Sequence, residues 1–295
     1  MRYRFLTCDV FTTRRFSGNQ LAVLPDATGL DTAAMQVLAA EFGYSETTFV
    51  LPPTDPANLA AVRIFTPRSE MPFAGHPTVG TALALSWEGR APASGEFVLE
   101  MKAGLVPVRL RANGEAAIAD FAAPQRPSHG TPLPAGAVAR ALGVAEADIV
   151  SGGGLPCIAS CGAAFLLVEL VDLAAVQRAR FVDLVGLPET AGEGIFLFAR
   201  DRSADGAMRA RMFAPLHGIP EDPATGSAAA ALAGFLGGRP GLAEGWHHWH
   251  IRQGVEMGRP SEIHAAANRL GDDVVEVRIA GSAVPVSEGM VEVGA

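Results

Sequence analysis

The chain has 295 residues, 49% apolar and 18% charged, with a formal net charge of −8. That balance builds a large core and excludes a disordered chain, and an acidic sequence with no basic stretch argues against a nucleic-acid binder. No apolar run approaches the roughly 20 residues that span a bilayer, and the opening MRYRFLTCDVF alternates like a strand and lacks the pattern of a signal peptide, so a soluble cytoplasmic protein is expected.

Residues 2–11 read as a first strand, and Gly18 and Asn19 mark a turn before a short apolar strand at 21–24. Asp31 stands where an N-cap belongs, Met35, Leu38 and Ala39 form an apolar side, and Gly43 supplies the stop, which predicts a helix. Next comes YSETTFV at 44–50, a strand with one carboxylate, Glu46, beside hydroxyl residues and between the aromatic neighbours Phe42, Tyr44 and Phe49. A strand at 60–65 leads into FTPRSEMPFAGHPTVGTALAL (65–85), which carries Glu70, then Gly75, His76, Pro77 at a first helical position, and an apolar helix. Strands follow at 97–101, 106–110 and 117–121. Residues 122–136 hold four prolines and little apolar content, which marks a domain boundary.

The alternation then repeats, with a helix at 137–142, strands at 157–159 and 164–168, a helix at 172–180, and strands at 195–198 and 209–213. These lead into GIPEDPATGSAAAAL (218–232), a polar loop that empties into a helix, with Thr225 or Ser227 as the cap and four alanines behind it. Residues 248–253, 262–267 and 274–279 are strand-like, and the tail AVPVSEGMVEV (283–293) reads as one more hairpin or edge strand. Two polar loops that each feed a small-residue helix suggest a duplicated lobe, 1–124 and 130–295, with the final strand assignable to either. Strands outnumber helices and hairpin-length loops join many of them, so the fold class is α+β: two similar strand-rich lobes, each enclosing one buried helix.

The three cysteines, Cys8, Cys157 and Cys161, have no paired zinc spacing and fit buried thiols in a reducing compartment. Lys102 is the only lysine and precedes Ala103, which rules out a Walker phosphate loop, and its alternating strand context disfavours a pyridoxal Schiff base. No G-x-G-x-x-G follows a strand. In the cluster at 246–250, His248 and His250 share a strand face, but no carboxylate or cysteine nearby completes a metal set.

What remains is an enzyme that uses its own side chains, or a non-enzyme. If both loop-to-helix units face one cleft, acids, a histidine and two helix N-termini meet there, a place to hold a small anion and move a proton. Glu46 is the candidate acid/base, desolvated by its aromatic neighbours, unless it is a plain strand-end carboxylate in solvent. His76, at a helix start, tends to be neutral and could orient a substrate or relay a proton, or simply cap and pack. Asp222 is a second acid/base or a turn former before Pro223.

DVFTTRRFSGNQLAV, YSETTFV, VRIFTPRSEMPFAGHPTVGTA, GIPEDPATGSAAAAL and RQGVEMGRPS, in this order along nearly the whole chain, resemble the PhzF-like isomerases of phenazine biosynthesis, related in fold to diaminopimelate epimerase. The resemblance implies two lobes, each a mixed, barrel-like sheet around a central helix, an active site in the cleft between them, a small carboxylated substrate, no cofactor and often a homodimer. It points to Glu46 as a proton shuttle on a substrate like trans-2,3-dihydro-3-hydroxyanthranilate, with His76 and Asp222 assisting. Gly75, Gly226 and Ser227 would donate to the substrate carboxylate, and Asn19 and Ser45 would border it. Arg259 and Ser261 receive only a structural role. Relatives that racemise amino acids carry a cysteine at each loop-to-helix junction, where this chain has Gly75-His76 and Gly226-Ser227, so two-thiol epimerisation is disfavoured. The alternatives are a non-thiol racemase or epimerase of an amino-acid-like substrate and a catalytically silent anion-binding protein.

Overall fold

The computed structural model describes residues 1–113, 116–217 and 219–294. Gly218, which opens the second predicted loop, and the terminal Ala295 lie outside the described residues. Two compact units emerge, Met1–Pro124 with Ala280–Ala295, and Gln125–Ile279. Among the described residues no helix is long and apolar enough to cross a membrane.

The first unit runs β1 (Arg2–Val10), β2 (Asn19–Leu24), α1 (Thr32–Phe42), β3 (Glu46–Leu51), β4 (Ala60–Phe65), β5 (Glu70–Met71), α2 (Gly75–Trp87), β6 (Glu96–Met101), β7 (Gly104–Asn113) and β8 (Ala116–Ala122). The second runs β9 (Ser128–His129), α3 (Ala135–Leu142), β10 (Cys157–Ser160), β11 (Ala164–Glu169), α4 (Leu173–Arg178), β12 (Ile195–Arg200), β13 (Ala207–Ala214), β14 (Ile219–Asp222), α5 (Gly226–Gly237), β15 (Gly245–Gln253) and β16 (Ser261–Leu270). The last strand, β17 (Asp273–Glu292), starts in the second unit and ends in the first.

In the first unit the pairing runs β1, β2, β3, β4, β6, β7, β8, and β8 and β1 both pair with β17. Each of these strands therefore has a neighbour on both sides, and the sheet closes into a barrel without an exposed edge. The parallel pairs, β2 with β3 and β4 with β6, are those whose connections contain a helix, as parallel strands require. One of these helices, α1, covers the outside: Asp31 caps it by accepting from Ala34 N, Gly43 ends it at φ 65°, and Met35, Leu38 and Ala39 pack with Leu24, Phe49 and Phe65. The other, α2, fills the barrel, and all of its residues from Gly75 to Leu85 are buried. Small residues permit that enclosure: a Cβ on Gly80 would lie 2.5 Å from Leu21 Cδ2 and 2.7 Å from Val10 Cγ2.

The second unit repeats the plan. Its order is β9, β10, β11, β12, β13, β15, β16, β17, and its parallel pairs, β11 with β12 and β13 with β15, again enclose helices. Here α4 lies outside, where Ala175 and Val176 join the core of α3, β11 and β12, and α5 is the buried helix, packed on β9, β10, β11, β15 and β16. The repeat extends to side chains. Arg63 pairs with Glu70 and lies 5.0 Å from the ring centre of Phe65, while Arg211 pairs with Glu221 and lies 5.0 Å from that of Phe213. In each half an Arg-x-Phe strand thus anchors the short acidic strand that leads into the buried helix.

Three sequence expectations are corrected. The tail forms no separate hairpin or edge strand. Instead β17 continues through it, and the register against β1 slips between Thr7 and Cys8, where Thr7 faces Ser287 and Cys8 faces Pro285. That bulge accommodates a proline that reads as a strand breaker. Pro77 is the third helical residue of α2 after the N-cap Ala74, still within the first turn, where its missing N–H costs no helical bond. Lys102 sits in the tight turn between β6 and β7, 3.4 Å from Glu70 Oε2, rather than within a strand.

Candidate active site

Glu46 opens β3, and strand geometry sets where it points. Thr48, two residues on and on the same face, accepts a hydrogen bond from Thr81 Oγ1 of the buried helix α2 at 2.9 Å. Glu46 therefore shares the α2 side, whereas Phe49 falls on the opposite face, packed with α1. The expectation that Phe49 desolvates Glu46 is thus corrected. The Phe42 and Tyr44 rings stack on each other, with centroids 6.4 Å apart. What shelters the Glu46 side chain, 13% exposed, is its place beside His76, whose Nδ1 lies 3.5 Å from Glu46 Oε2.

His76 is the second residue of α2 and is fully buried. Its Nδ1 lies 3.2 Å from Asn19 Nδ2, and Asn19 Oδ1 is approached at 3.5 Å by the Ser45 hydroxyl. Burial pushes the imidazole down to about 3, against a hydrogen bond with the Gln20 backbone that acts the other way. The ring is neutral at ordinary pH, so its contact with Glu46 is a polar contact between a neutral ring and a carboxylate rather than an ion pair. The dominant cause of this neutrality is desolvation rather than the helix terminus expected from the sequence. His76 Nε2 is buried and has no hydrogen-bond partner among the described residues.

The two buried helices begin differently from the two outer helices that follow an aspartate. Asp31 and Asp172 accept from backbone N–H groups at the starts of α1 and α4. By contrast α2 follows Ala74, whose side chain offers no acceptor, and α5 follows Thr225, whose side chain makes no capping bond. Gly75, His76 and Gly226 are buried all the same. The first N–H groups of a helix have no intrahelical partner and carry partial positive charge. Each buried start, Gly75-His76 and Gly226-Ser227, therefore presents donors and positive potential suited to an anion.

In the second unit Thr225 is diverted to Asp222. Its hydroxyl donates to Asp222 Oδ2 at 2.5 Å, so Asp222 does more than form a turn. Gln253, at the end of β15, is fully buried and binds both residues: Oε1 accepts from Thr225 N at 3.1 Å, and Nε2 donates to the Asp222 carbonyl at 2.7 Å and to Thr225 Oγ1 at 3.0 Å. Ser261 Oγ donates to the Pro223 carbonyl at 2.8 Å. The sequence reading missed Gln253 and Thr225 as a pair, although both lie in segments it singled out, GIPEDPATGSAAAAL and RQGVEMGRPS.

Of the predicted residues, Asn19, Ser45, Glu46, Gly75 and His76 come together in the first unit, and Asp222, Gly226 and Ser227 lie along one loop and helix start in the second. Two further acids of the loops are already engaged, Glu70 by Arg63 and Lys102, and Glu221 by Nε and Nη2 of Arg211. On β15 and β16, His250 stacks on His264 with ring centres 4.9 Å apart and meets Glu262 at 2.6 Å, a carboxylate that the sequence reading did not place there. Among the described residues no group of three or more metal-ligating side chains forms. All three cysteines are buried away from the helix starts, and burial raises the Cys8 thiol strongly, Cys157 to about 11 and Cys161 to about 12. None is poised as a thiolate.

The sequence pattern of the family described as phenazine biosynthesis-like protein matches residues 8–289. An uncharacterised isomerase of Mesorhizobium japonicum is 39% identical, over 97% of this chain and 97% of its own length. The trans-2,3-dihydro-3-hydroxyanthranilate isomerase of Pseudomonas chlororaphis is 36% identical, over 98% of this chain and 99% of its own. The crystal structure of the Bacillus anthracis phenazine biosynthesis protein of the PhzF family superposes with a TM-score of 0.89 at 24% identity, covering 99% of this chain and all of that one.

Proposed function

Because the chain belongs to the PhzF-like family of phenazine biosynthesis isomerases, we propose that it is a cofactor-independent isomerase that moves a proton between two carbons of a small cyclic carboxylated substrate resembling trans-2,3-dihydro-3-hydroxyanthranilate. The observation that carries this reading is the sheltered Glu46 carboxylate 3.5 Å from Nδ1 of a buried, neutral His76 at the uncapped start of α2. A cation in that place would pair with Glu46 and weaken it as a base, whereas a neutral imidazole leaves the carboxylate its basicity.

Glu46 removes a proton from one carbon, and the electron pair of that C–H bond moves into the adjoining unsaturated system. The resulting carboxylic acid then returns a proton to a second carbon, so substrate and product are isomers and no electrons are gained or lost. His76 Nε2 is the ring atom left to meet the substrate. Asp222 is a second acid–base group, the N–H groups of Gly75 at the start of α2 and of Gly226 and Ser227 at the start of α5 are each donors for an anionic group of the substrate, and Asn19 and Ser45 border the substrate while fixing the His76 ring.

The test is turnover of trans-2,3-dihydro-3-hydroxyanthranilate by the wild type and by Glu46→Gln. General acid–base catalysis contributes about 10²–10⁴-fold, so Glu46→Gln is expected to lose on the order of a thousandfold in kcat at an unchanged melting temperature. A folded wild type that leaves this compound untouched removes it as substrate, and a Glu46→Gln variant of undiminished rate removes Glu46 as the shuttle.

A further inference from the structure

The hydrogen bonds around Thr225 fix the direction of every proton in them. Thr225 N–H can only donate, so the Gln253 atom facing it is the carbonyl Oε1. The other end of that amide is then Nε2, as its bond to the Asp222 carbonyl, which can only accept, also demands. Nε2 donates in addition to Thr225 Oγ1 at 3.0 Å. A hydroxyl that receives such a bond and has a single proton of its own directs that proton elsewhere, and Asp222 Oδ2 lies 2.5 Å away. The Thr225 hydroxyl is thereby committed to donating to the Asp222 carboxylate.

A second set of contacts holds this arrangement from behind. Gly254, next to Gln253, has φ 72°, and a Cβ there would fall 2.5 Å from the Arg259 carbonyl and 2.6 Å from that of Pro223. Ser261 donates to the same Pro223 carbonyl, 2.8 Å away. The RQGVEMGRPS turn thus packs backbone to backbone on the residue after Asp222. Of the charged groups on and around these segments, Glu221 pairs with Arg211, Glu256 with Arg209 and Arg252 with Glu262, Arg259 and His217 flank the same turn and loop, and the Thr225 hydroxyl is a donor placed on Asp222 Oδ2.

We propose that Gln253, acting through Thr225, is a positioning residue that holds the Asp222 carboxylate in one orientation for the isomerisation, with Oδ2 engaged by the Thr225 proton. This inference rests on the assignment of Asp222 as an acid–base group, and its test needs no turnover. The Asp222 side-chain carboxyl carbon is followed by carbon-13 NMR through a pH titration of the full-length protein, its signal assigned by its loss in Asp222→Asn. A hydrogen bond to the charged form favours that form. Thr225→Val, which keeps the shape and deletes the hydroxyl, is therefore expected to move the Asp222 midpoint upward by about one pH unit, and Gln253→Met, which frees the hydroxyl to turn, to move it in the same direction. Thr225→Ser, which restores the hydroxyl, is expected to titrate like the wild type. The other aspartates serve as the folding control, since their midpoints stay fixed in a folded variant. An Asp222 midpoint unmoved in folded Thr225→Val overturns the proposal, and so does one that moves equally in Thr225→Ser. If Gln253→Met does not fold, the two Thr225 variants decide. Absence of turnover on the trial substrate would count against the proposed reaction and leave this titration standing.

Discussion

At His76 the cost of burying a charge outweighs the contacts the ring makes, and that has a consequence for stability. The unfolded chain takes up a proton on this imidazole near 6.5 and the folded chain only near 3. Between those values the unfolded state binds more protons, so the contribution is fully present above about pH 6.5 and is lost as the pH falls toward 3. From pH 7 to pH 5 this one group is expected to remove about 2 kcal/mol of stability. His76→Gln, which cannot titrate, should lose correspondingly less over the same interval in urea unfolding, and parallel losses in the two proteins would show that the ring is not buried neutral. Glu46 benefits from the same fact, because its neighbour at 3.5 Å carries no charge to hold it as a spectator ion pair.

At the scale of elements, the two central helices are defined by how little space surrounds them. Replacing glycine by alanine inside an exposed helix stabilises by roughly 1 kcal/mol. In α2 and α5 the sign reverses: a Cβ on Gly80 meets Leu21 and Val10 at 2.5 and 2.7 Å, and one on Gly234 meets Pro127 Cβ at 2.7 Å and Cys161 Sγ at 2.8 Å. Overpacking of this kind costs about 1–3 kcal/mol, so Gly80→Ala and Gly234→Ala should each lower the denaturant midpoint. A rise in either midpoint would mean that the helix is not enclosed as described. The helices were also the most legible elements in the sequence, because a cap such as Asp31 and a stop such as Gly43 act within one turn of chain. The two-residue strands β5 and β9 escape a sequence reading because two residues are too short to show an alternating pattern, and β9 exists only through a partner about 30 residues along the chain. Gln253 was illegible for the same reason: a glutamine in a strand carries no local sign that it will clasp a loop 28 residues earlier. The Arg63 and Arg211 anchors left a trace in the repeated Arg-x-Phe, but their acidic partners emerge only when the short strands pair.

Across the whole molecule, a duplicated plan explains why the same local solution appears twice. Each half winds a mixed sheet about a buried, small-residue helix, and the first half borrows its closing strand from the end of the chain. A chain ending at Ile279 would lose the strand that pairs with both β1 and β8, leaving two open edges on the first barrel. Hydrogen exchange should then find the amides of β1 and β8 that face β17 unprotected while β11 to β13 keep their protection, and intact protection of those β1 amides would refute the closed-barrel description. The proposed reaction turns on Glu46 as the group that carries the proton. The direct measurement is to incubate the wild type and Glu46→Gln with trans-2,3-dihydro-3-hydroxyanthranilate in heavy water and to follow substrate loss and deuterium in the product by mass spectrometry. A carboxyl that exchanges with solvent between its two transfers predicts isomerised product carrying deuterium from the wild type and neither isomerisation nor label from Glu46→Gln. Labelled product formed equally fast by Glu46→Gln would contradict it.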